Sequence, residues 1–430
     1  MRALRGWLHD TAGGLPAVFW YLWGGLLINR AGAFAMLFLP LYLTDARGAS
    51  EALTGTVVGA YGLGGAAGVL LGGVLADRWG RRSTLLAAHL GTAALMVALA
   101  FSRHLVLIAV LSALVGVAHS MPGPAFVAAI VDVVPEERRS RAFNLQFWAF
   151  NLGMAVASLL AGLLAEASFL ALFLVDAGAT LTAAVIIAWK VPETLADRRR
   201  PPIRSTQAVD GDRGPGRVRR PGLHTALTDR VFLTFVGLTF VLAVLTMQTS
   251  TIMPLAMRTD ELGPSAYGAV VALGGVLIVV GQLFVPRLID GHRKDRVLAV
   301  STALLALGFA ALAVADDLAV YLAAAVVWTV GQMLAAPPNA QINADLAPPE
   351  LRARYQSVFY LAFPAASFVA PTLGGVSLQY LGDRHWLVVG GLGLLAAGCH
   401  LLAGPSRERR VAALRRAVAT RREPALSAER

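Results

Sequence analysis

The stretch GVLADRWGRRSTL, residues 73–85, is a short charged segment between two long apolar segments. Gly80 permits a tight turn, because glycine adopts backbone conformations that other residues avoid. The three arginines of the stretch hold this turn on the cytoplasmic side of a membrane, where positively charged loops stay. Asp77 places a carboxylate at a helix end, where it can pair with arginines or face the N-terminus of a neighbouring helix. The stretch therefore predicts a cytoplasmic turn between two membrane-spanning helices.

The composition of the whole chain requires lipid around it. The 430 residues are 57% hydrophobic and 15% charged, with a mean hydropathy of +0.64, whereas soluble proteins are about 45–50% apolar. The apolar residues form separate blocks long enough to cross a hydrocarbon core of about 30 Å as helices. We predict an all-α membrane protein with twelve spans, at residues 15–42, 53–75, 83–101, 105–130, 142–165, 169–191, 231–253, 267–288, 297–314, 318–336, 359–380 and 386–402.

The distribution of positive charge along the chain indicates its topology in the membrane. The formal net charge is +11, and the 37 lysines and arginines fall almost entirely in alternate loops. Such loops stay cytoplasmic, so we expect both termini to be cytoplasmic. The sequence has no basic stripe with interleaved aromatic residues, which argues against a nucleic-acid partner. The lone cysteine, Cys399, excludes an intramolecular disulfide and any cysteine-built metal site.

An internal repeat divides the chain in two. The segment DVVPEERRSR, residues 132–141, matches DLAPPELRAR, which lies 213 residues later at 345–354. The same shift aligns the spans before these loops, so the halves are copies of one six-helix unit. We predict a first bundle at 1–191, a cytoplasmic linker at 192–224, a second bundle at 225–404 and a basic cytoplasmic tail at 405–430.

Residues 73–85 resemble the signature loop of the major facilitator superfamily, usually written GxLaDRxGRRxxL. The resemblance implies two pseudo-symmetric six-helix bundles with a substrate site between them. It also implies that the loop latches the bundles together at the cytoplasmic face in the outward-open state, with Asp77 facing residues 351–357 at the start of span 11. The residues expected to form this latch are Gly73, Asp77, Arg78, Gly80, Arg81, Arg82, Asp132, Arg141, Asp290, Asp345 and Arg354.

Span 2 carries small residues at helical spacing. Gly64, Gly68 and Gly72 lie four residues apart on one face, which permits close helix approach in lipid. By the family geometry this face would meet span 11, where Gly374 and Gly375 lie. A static packing seam within the first bundle is the alternative explanation.

Two charges lie inside the predicted spans. Arg30 sits deep in span 1, and a mid-bilayer arginine costs about 2.5 kcal/mol or more without a partner or water. Asp176 in span 6 lies at a similar depth and is the expected partner. The pair is either structural or couples transport to protons through the carboxylate. If the two are not partners, we expect Arg30 to face the cavity and to contact an anionic or carbonyl-bearing part of the substrate.

The resemblance implies that spans 1, 4, 7 and 10 line a central cavity, with spans 2, 5, 8 and 11 beside them. The side chains on these helices are mostly aromatic, thioether and amide groups, which suits an amphipathic organic molecule. Besides Arg30 and Asp176, the expected substrate or proton pathway consists of Trp23, Asn29, Phe34, His119, Met121, Asn144, Trp148, Gln248, Trp328, Gln332 and Tyr360. Each of these residues has helix packing as its alternative role.

The sequence thus predicts a secondary transporter that resembles the bacterial twelve-span drug:proton antiporters and exports small amphipathic compounds from the inner membrane. Ser112 replaces the arginine that those exporters carry in span 4. A proton-coupled importer of peptides or another nutrient is the alternative, and a sensor remains open. We expect a monomer driven by the proton gradient, with no cofactor, no metal and no enzymatic activity, since no span pairs a nucleophile with a base and HExxH is absent.

Overall fold

The computed structural model describes residues 13–194, 224–281, 284–348 and 351–427. Helices dominate, which confirms the all-α prediction, and eleven described helices are long and apolar enough to cross a membrane. The first bundle contains span 1 (Ala17–Ala31, then Leu39–Leu41 and a π-helical turn at Tyr42–Ala46), span 2 (Glu51–Arg78), span 3 (Arg81–Phe101), span 4 (Leu105–Ser120 and Pro122–Val133), span 5 (Glu136–Ala167) and span 6 (Phe169–Lys190).

The second bundle repeats this order after a short helix, His224–Thr228. It contains span 7 (Arg230–Thr251 and Met253–Thr259), span 8 (Pro264–Gly281 and Val285–Ile289), span 9 (Lys294–Ala310, then a 3₁₀ turn at Ala311–Val314), span 10 (Leu318–Leu346), span 11 (Arg352–Tyr360 and Ala362–Leu381) and span 12 (Arg384–Ser427). Span 12 runs without a break past residue 404, so the segment expected as a tail begins as helix.

Span 1 differs from the continuous helix expected at 15–42. Its helix ends at Ala31, and Gly32 to Phe38 form turns before a short helical segment resumes. Pro40 lies in the first turn of that segment, as Pro254 does in the matching segment of span 7. Proline is tolerated at a helix start but not inside a helix, so both first spans of the repeat are interrupted at corresponding places.

The burial pattern is that of a protein in lipid. Large apolar side chains such as Val106, Leu395 and Leu402 are exposed on the outside of the helices, while Ser112 and Thr302 are fully buried between them. Polar groups inside hydrocarbon must find internal partners. Thr302, for example, donates to the carbonyl of Leu298 at 2.7 Å.

The repeat reappears as two equivalent contacts between the bundles. Gly55 of span 2 packs against the backbone of Pro371 and Gly375 in span 11. At the positions 213 residues away, Gly268 of span 8 packs against the backbone of Ser158 and Gly162 in span 5. Small residues let the helix backbones approach closely in both places. We call these contacts the span 2–span 11 seam and the span 5–span 8 seam.

The two ends of the molecule differ in charge and in packing. We call the end that holds residues 78–82, 136–141 and 287–296 the arginine-rich end, and the opposite end the arginine-poor end. One apolar cluster joins both bundles and includes Phe38 and Met257, near the arginine-poor end. Two further clusters, at the arginine-rich end, each stay within a single bundle.

Candidate functional site

Arg30 lies at the last turn of the span 1 helix, beside span 5. Its guanidinium carbon lies 4.5 Å from the ring centroid of Phe150, a cation–π arrangement. Gly153, one turn further along span 5, meets the Cβ of Arg30, so a larger residue there would displace the arginine. The Nε atom of Arg30 is buried and has no hydrogen-bond partner among the described residues. The arginine is thus positioned by an aromatic ring rather than by an acid.

The carboxylate of Asp176 binds the backbone of span 1 where its helix is interrupted. This carboxylate is only 2% exposed, and its Oδ2 accepts a hydrogen bond from the backbone N–H of Ala35 at 3.1 Å. Thr180 donates to its Oδ1 at 3.4 Å, and Asn29 donates to the hydroxyl of Thr180 at 3.0 Å. The interrupted helix frees backbone N–H groups, and a buried carboxylate satisfies one of them.

The expected ion pair between Arg30 and Asp176 is therefore not made directly. The two charges interact electrostatically, but the described ion pairs do not include them. Span 1 does contact span 6 on both sides of Arg30, through Asn29 with Thr180 and Ala35 with Asp176, but the turns after Gly32 bring the backbone of Ala35 to the carboxylate. Tyr61 of span 2 contacts span 4 instead, since its hydroxyl lies 3.0 Å from Nδ1 of His119. Polar side chains thus join span 1 to span 6 and span 2 to span 4.

Three of the expected cavity residues lie in packed interiors instead. Phe34 is buried in the apolar cluster that joins the bundles. Trp328 stacks on Phe309 at 5.0 Å, on the side of span 10 that faces span 9. Gln248 is buried, and its Oε1 lies 3.2 Å from Nε2 of His385 in span 12. Spans 7 and 10 turn Gln248 and Trp328 toward their own bundle, and Phe34 of span 1 packs between the bundles. For these three residues the structure shows helix packing, the alternative role.

The remaining expected residues keep partly or fully exposed side chains. Asn144, Trp148 and Tyr360 are exposed, and Met121 and Gln332 are half-buried. Trp23 is also half-buried, and its indole donates to the carbonyl of Leu145 at 2.7 Å, which fixes span 1 against span 5.

The signature loop is built around Arg81. Gly80 has a φ of +108°, which favours glycine, and a Cβ there would strike the carboxylate of Glu193. Glu193 accepts from the backbone N–H of Arg81 at 2.8 Å and from that of Ser83 at 3.2 Å, so it caps span 3. The guanidinium of Arg81 pairs with Asp132 at 2.9 Å, and both side chains are nearly inaccessible, at 5% and 4%.

Asp77 does not meet span 11 in this structure. Its side chain is 77% exposed and is 3.5 Å from Arg81. Arg78 is exposed as well, while Arg82 donates to the carbonyl of Ala188 at 2.5 Å. The start of span 11 is instead occupied with its own bundle, where Tyr355 donates to Asp229 at 3.0 Å.

The second copy of the loop is assembled in the same way. Lys294, the counterpart of Arg81, donates to Asp345, the counterpart of Asp132, at 2.7 Å. These side chains are 39% and 29% exposed, so the copy is more open than the original. Arg415 of the extended span 12 lies 3.6 Å from Asp345. Asp290 is exposed and accepts from the backbone N–H of Gly291.

The other expected latch residues lie in the first bundle or at the start of span 11. Arg141 donates to the carbonyl of Gly13 at 3.1 Å. Gly73 has open space where a Cβ would stand. Arg354 is half-buried on the first turn of span 11.

The glycine stripe of span 2 faces span 4. A Cβ at Gly64, Gly68 or Gly72 would strike the backbone of Ala113, Val117 or Met121, so this stripe is the static seam within the first bundle. The residues that meet span 11 are Gly55, Gly59 and Gly62, on a different face of the same helix. The expected contact of this stripe with Gly374 and Gly375 is therefore not made, since Gly375 lies against Gly55 and Gly374 faces span 7.

Sequence reasoning also missed an ion pair between the bundles at the arginine-poor end. Arg258 pairs with Asp45 there, and Gln379 accepts from the backbone N–H of Ala52 at 3.1 Å. Arg258 and Asp45 are 213 residues apart, so they occupy equivalent positions that meet at the pseudo-twofold axis. Their opposite charges could have been found from the repeat. Nearby, burial raises the pKa of the Asp260 carboxyl, which accepts from Tyr321 at 2.6 Å.

Comparison with known proteins places these features in a family. A model described as Major Facilitator Superfamily matches residues 22–371, with a further match over 238–428. The MFS-type transporter YhjO of Bacillus subtilis (strain 168) is 26% identical over 394 residues, which cover 88% of this chain and 90% of the relative. The Na(+), Li(+), K(+)/H(+) antiporter of Planococcus maritimus is 23% identical, with coverage of 88% and 93%.

The fold is also found among solved structures. The crystal structure of the peptide transporter POT in complex with sulfate superposes with a TM-score of 0.74 at 16% identity, covering 92% of this chain and 96% of that one. At this identity the likeness concerns the fold alone.

Proposed function

The chain belongs to the major facilitator superfamily, and from this premise we propose that it is a proton-coupled secondary transporter that exports small amphipathic organic compounds across a bacterial inner membrane. The family makes it a multi-pass membrane transporter. The direction, the coupling ion and the substrate class are our proposal.

The orientation follows from the distribution of arginine. The arginine-rich end is cytoplasmic under the positive-inside rule, which also puts both termini in the cytoplasm. The bundles are joined at the arginine-poor end by the two seams and by the pair of Arg258 with Asp45. The structure then corresponds to a state open to the cytoplasm, in which an exporter takes up its substrate.

Alternating access requires the arginine-rich end to close when the arginine-poor end opens. Asp77 is free of span 11 in the state open to the cytoplasm, and we expect it to approach residues 351–357 when the cytoplasmic end closes. A carboxylate near a helix N-terminus contributes about 0.3–2 kcal/mol, enough to bias a balanced equilibrium.

The observation that carries the proposal of proton coupling is the position of Asp176. Its carboxylate is buried and binds the backbone of the interrupted span 1. A protonated carboxyl is a weaker acceptor than a carboxylate, so proton uptake would loosen the segment after Gly32. That segment continues into Phe38 and the joined end of the bundles, where Phe38 packs on Tyr267 at 5.1 Å. The antiporter name of the Planococcus maritimus relative supports proton exchange.

Uptake of peptides or another small nutrient by the same fold is the second candidate. An arginine in the first span favours it, since the segment NRAGAFAMLFLPLYL is loosely similar to the first helix of proton-coupled peptide transporters. The acidic residues that precede that arginine in peptide transporters are absent, and Asn29 binds Thr180 instead.

Transport in proteoliposomes tests the proposal. With an inside-acidic pH gradient in inside-out vesicles, we expect labelled amphipathic compounds to accumulate and Asp176→Asn to abolish accumulation while leaving downhill exchange. Asp383→Asn, in an exposed loop, is the matched control and keeps accumulation. Uptake of peptides in right-side-out vesicles would support the second candidate, and transport unaffected by the pH gradient would contradict proton coupling.

A further inference from the structure

Arg30 carries an unused set of hydrogen-bond donors. Guanidinium has five N–H donors, and none of those of Arg30 is bonded to a described residue. Its Nε is buried and has no hydrogen-bond partner among the described residues. A charge kept in a membrane-embedded site without a bonded partner is costly, and such residues in membrane proteins mark substrate or ion pathways.

Asp176, the acid expected to pair with Arg30, accepts hydrogen bonds from other groups. Asp176 uses Oδ2 for the backbone of Ala35 and Oδ1 for Thr180. Its charge moderates that of Arg30 at longer range, but its oxygens do not bond the guanidinium. The N–H groups of the Arg30 guanidinium are therefore available to a hydrogen-bond acceptor on a ligand.

The position of Arg30 gives that acceptor access. Phe150, beneath the guanidinium, is 40% exposed. Gly153, which meets Arg30, is two residues before Ala155, where span 5 meets Gly275 of span 8. Arg30 thus lies where the span 5–span 8 seam ends and the bundles begin to separate toward the arginine-rich end.

The surroundings define the chemistry of a ligand. A guanidinium fork matches a carboxylate by two parallel hydrogen bonds. Phe147, three residues earlier and on the same side of span 5, is 48% exposed and offers apolar surface for the rest of the ligand. We propose that Arg30 and Phe150 form a subsite for the carboxylate of the transported compound, so the substrates are amphipathic organic acids rather than neutral or cationic drugs.

This substrate class rests on the proposed transport function, but the subsite is tested by equilibrium binding without any gradient. Calorimetry on the full-length protein in nanodiscs compares benzoate with benzamide, which has the same shape and no charge. Hydrogen bonds to a charged group are worth about 1.5–3 kcal/mol, so benzoate should bind about 10- to 100-fold more tightly. Equal affinities, or no binding of either compound, would overturn the subsite.

Two variants test whether Arg30 causes the preference for benzoate over benzamide. Arg30→Gln should reduce benzoate affinity to the level of benzamide and leave benzamide unchanged. Phe150→Glu provides an internal carboxylate beside the guanidinium, so benzoate binding should fall while the midpoint of thermal unfolding does not, and this variant decides the matter if Arg30→Gln fails to fold. Tyr380→Glu, at the exposed far end of span 11, is the control and should bind as the native chain does.

The outcomes separate the two proposals. A benzoate preference that persists in Arg30→Gln, or binding unaffected by Phe150→Glu, would overturn the subsite whatever the transport assay gives. A benzoate preference lost in both variants supports the subsite, even if no gradient-driven transport is found, in which case only the proposed function fails.

Discussion

The two ends of the molecule are held together by different means. At the arginine-poor end the bundles contact each other through glycine-lined seams, an apolar cluster and one ion pair, Arg258 with Asp45. At the arginine-rich end the described ion pairs stay within a bundle, as Arg81 with Asp132 and Lys294 with Asp345 do.

This difference separates rigidity from motion. Contacts within a bundle persist whichever end is open, so they can be strong and buried. Contacts between bundles must break in each cycle, and close glycine packing with one partly exposed ion pair is weak enough to do so. Substitutions at the arginine-rich end should therefore affect folding, and substitutions at the arginine-poor end should affect the conformational equilibrium.

The largest effect is expected at the signature loop. Arg81→Gln removes the buried guanidinium that pairs with Asp132, and breaking a buried ion pair costs about 3–5 kcal/mol of stability. Lys294→Gln removes the equivalent but half-exposed contact and should cost about 0–1 kcal/mol. Thermal unfolding of both variants in detergent measures the difference. Equal losses would mean that the burial of the first copy has no energetic consequence.

A smaller effect is expected at the span 2–span 11 seam. Gly55→Ala places a Cβ against the backbone of Pro371, and overpacking costs about 1–3 kcal/mol. Because the strain exists only while the arginine-poor end is closed, the population should shift about 5- to 150-fold toward the alternative state. Gly398→Ala, with open space at its Cβ, is the control. Spin-label distances across the arginine-poor end report the opening, and unchanged distances would contradict the seam.

The smallest effect is expected for the ion pair at the pseudo-twofold axis. Asp45 and Arg258 are 33% and 46% exposed, so the pair is worth about 0.2–1 kcal/mol. Asp45→Arg places two like charges together and should favour opening, and Arg258→Asp added to it should restore closure. Transport rates or spin-label distances across the arginine-poor end measure this, and failure of the double variant to recover would show that the charges do not interact.

Much of the fold could be predicted because its signals are local or repeated. Apolar length defines the spans, the arginine loops define their order, and the 213-residue shift relates Asp132 to Asp345. The break in span 1 was missed, since a continuous apolar block does not show where a helix ends. Gly32 and Pro40 were the available signals.

The site was harder to predict because it depends on helix rotation. The sequence predicted Arg30 and Asp176 at one level, but it could not show that the backbone of Ala35 reaches the carboxylate instead of Arg30. Rotation likewise turns Trp328 toward Phe309 and Gly64 toward span 4. Glu193 was missed because it follows the last span of its bundle, in a segment expected to be linker.

Paired distances across both ends of the molecule decide whether one end closes when the other opens. With Cys399 replaced by serine, spin labels at Trp79 and Arg352 report the arginine-rich end, and labels at Ala46 and Glu261 report the arginine-poor end. We expect a short-distance and a long-distance population at each end. When the pH or a bound ligand is varied, the short-distance population should grow at one end while it shrinks at the other. Distances that lengthen together at both ends, or an arginine-rich end that never closes, would contradict this expectation.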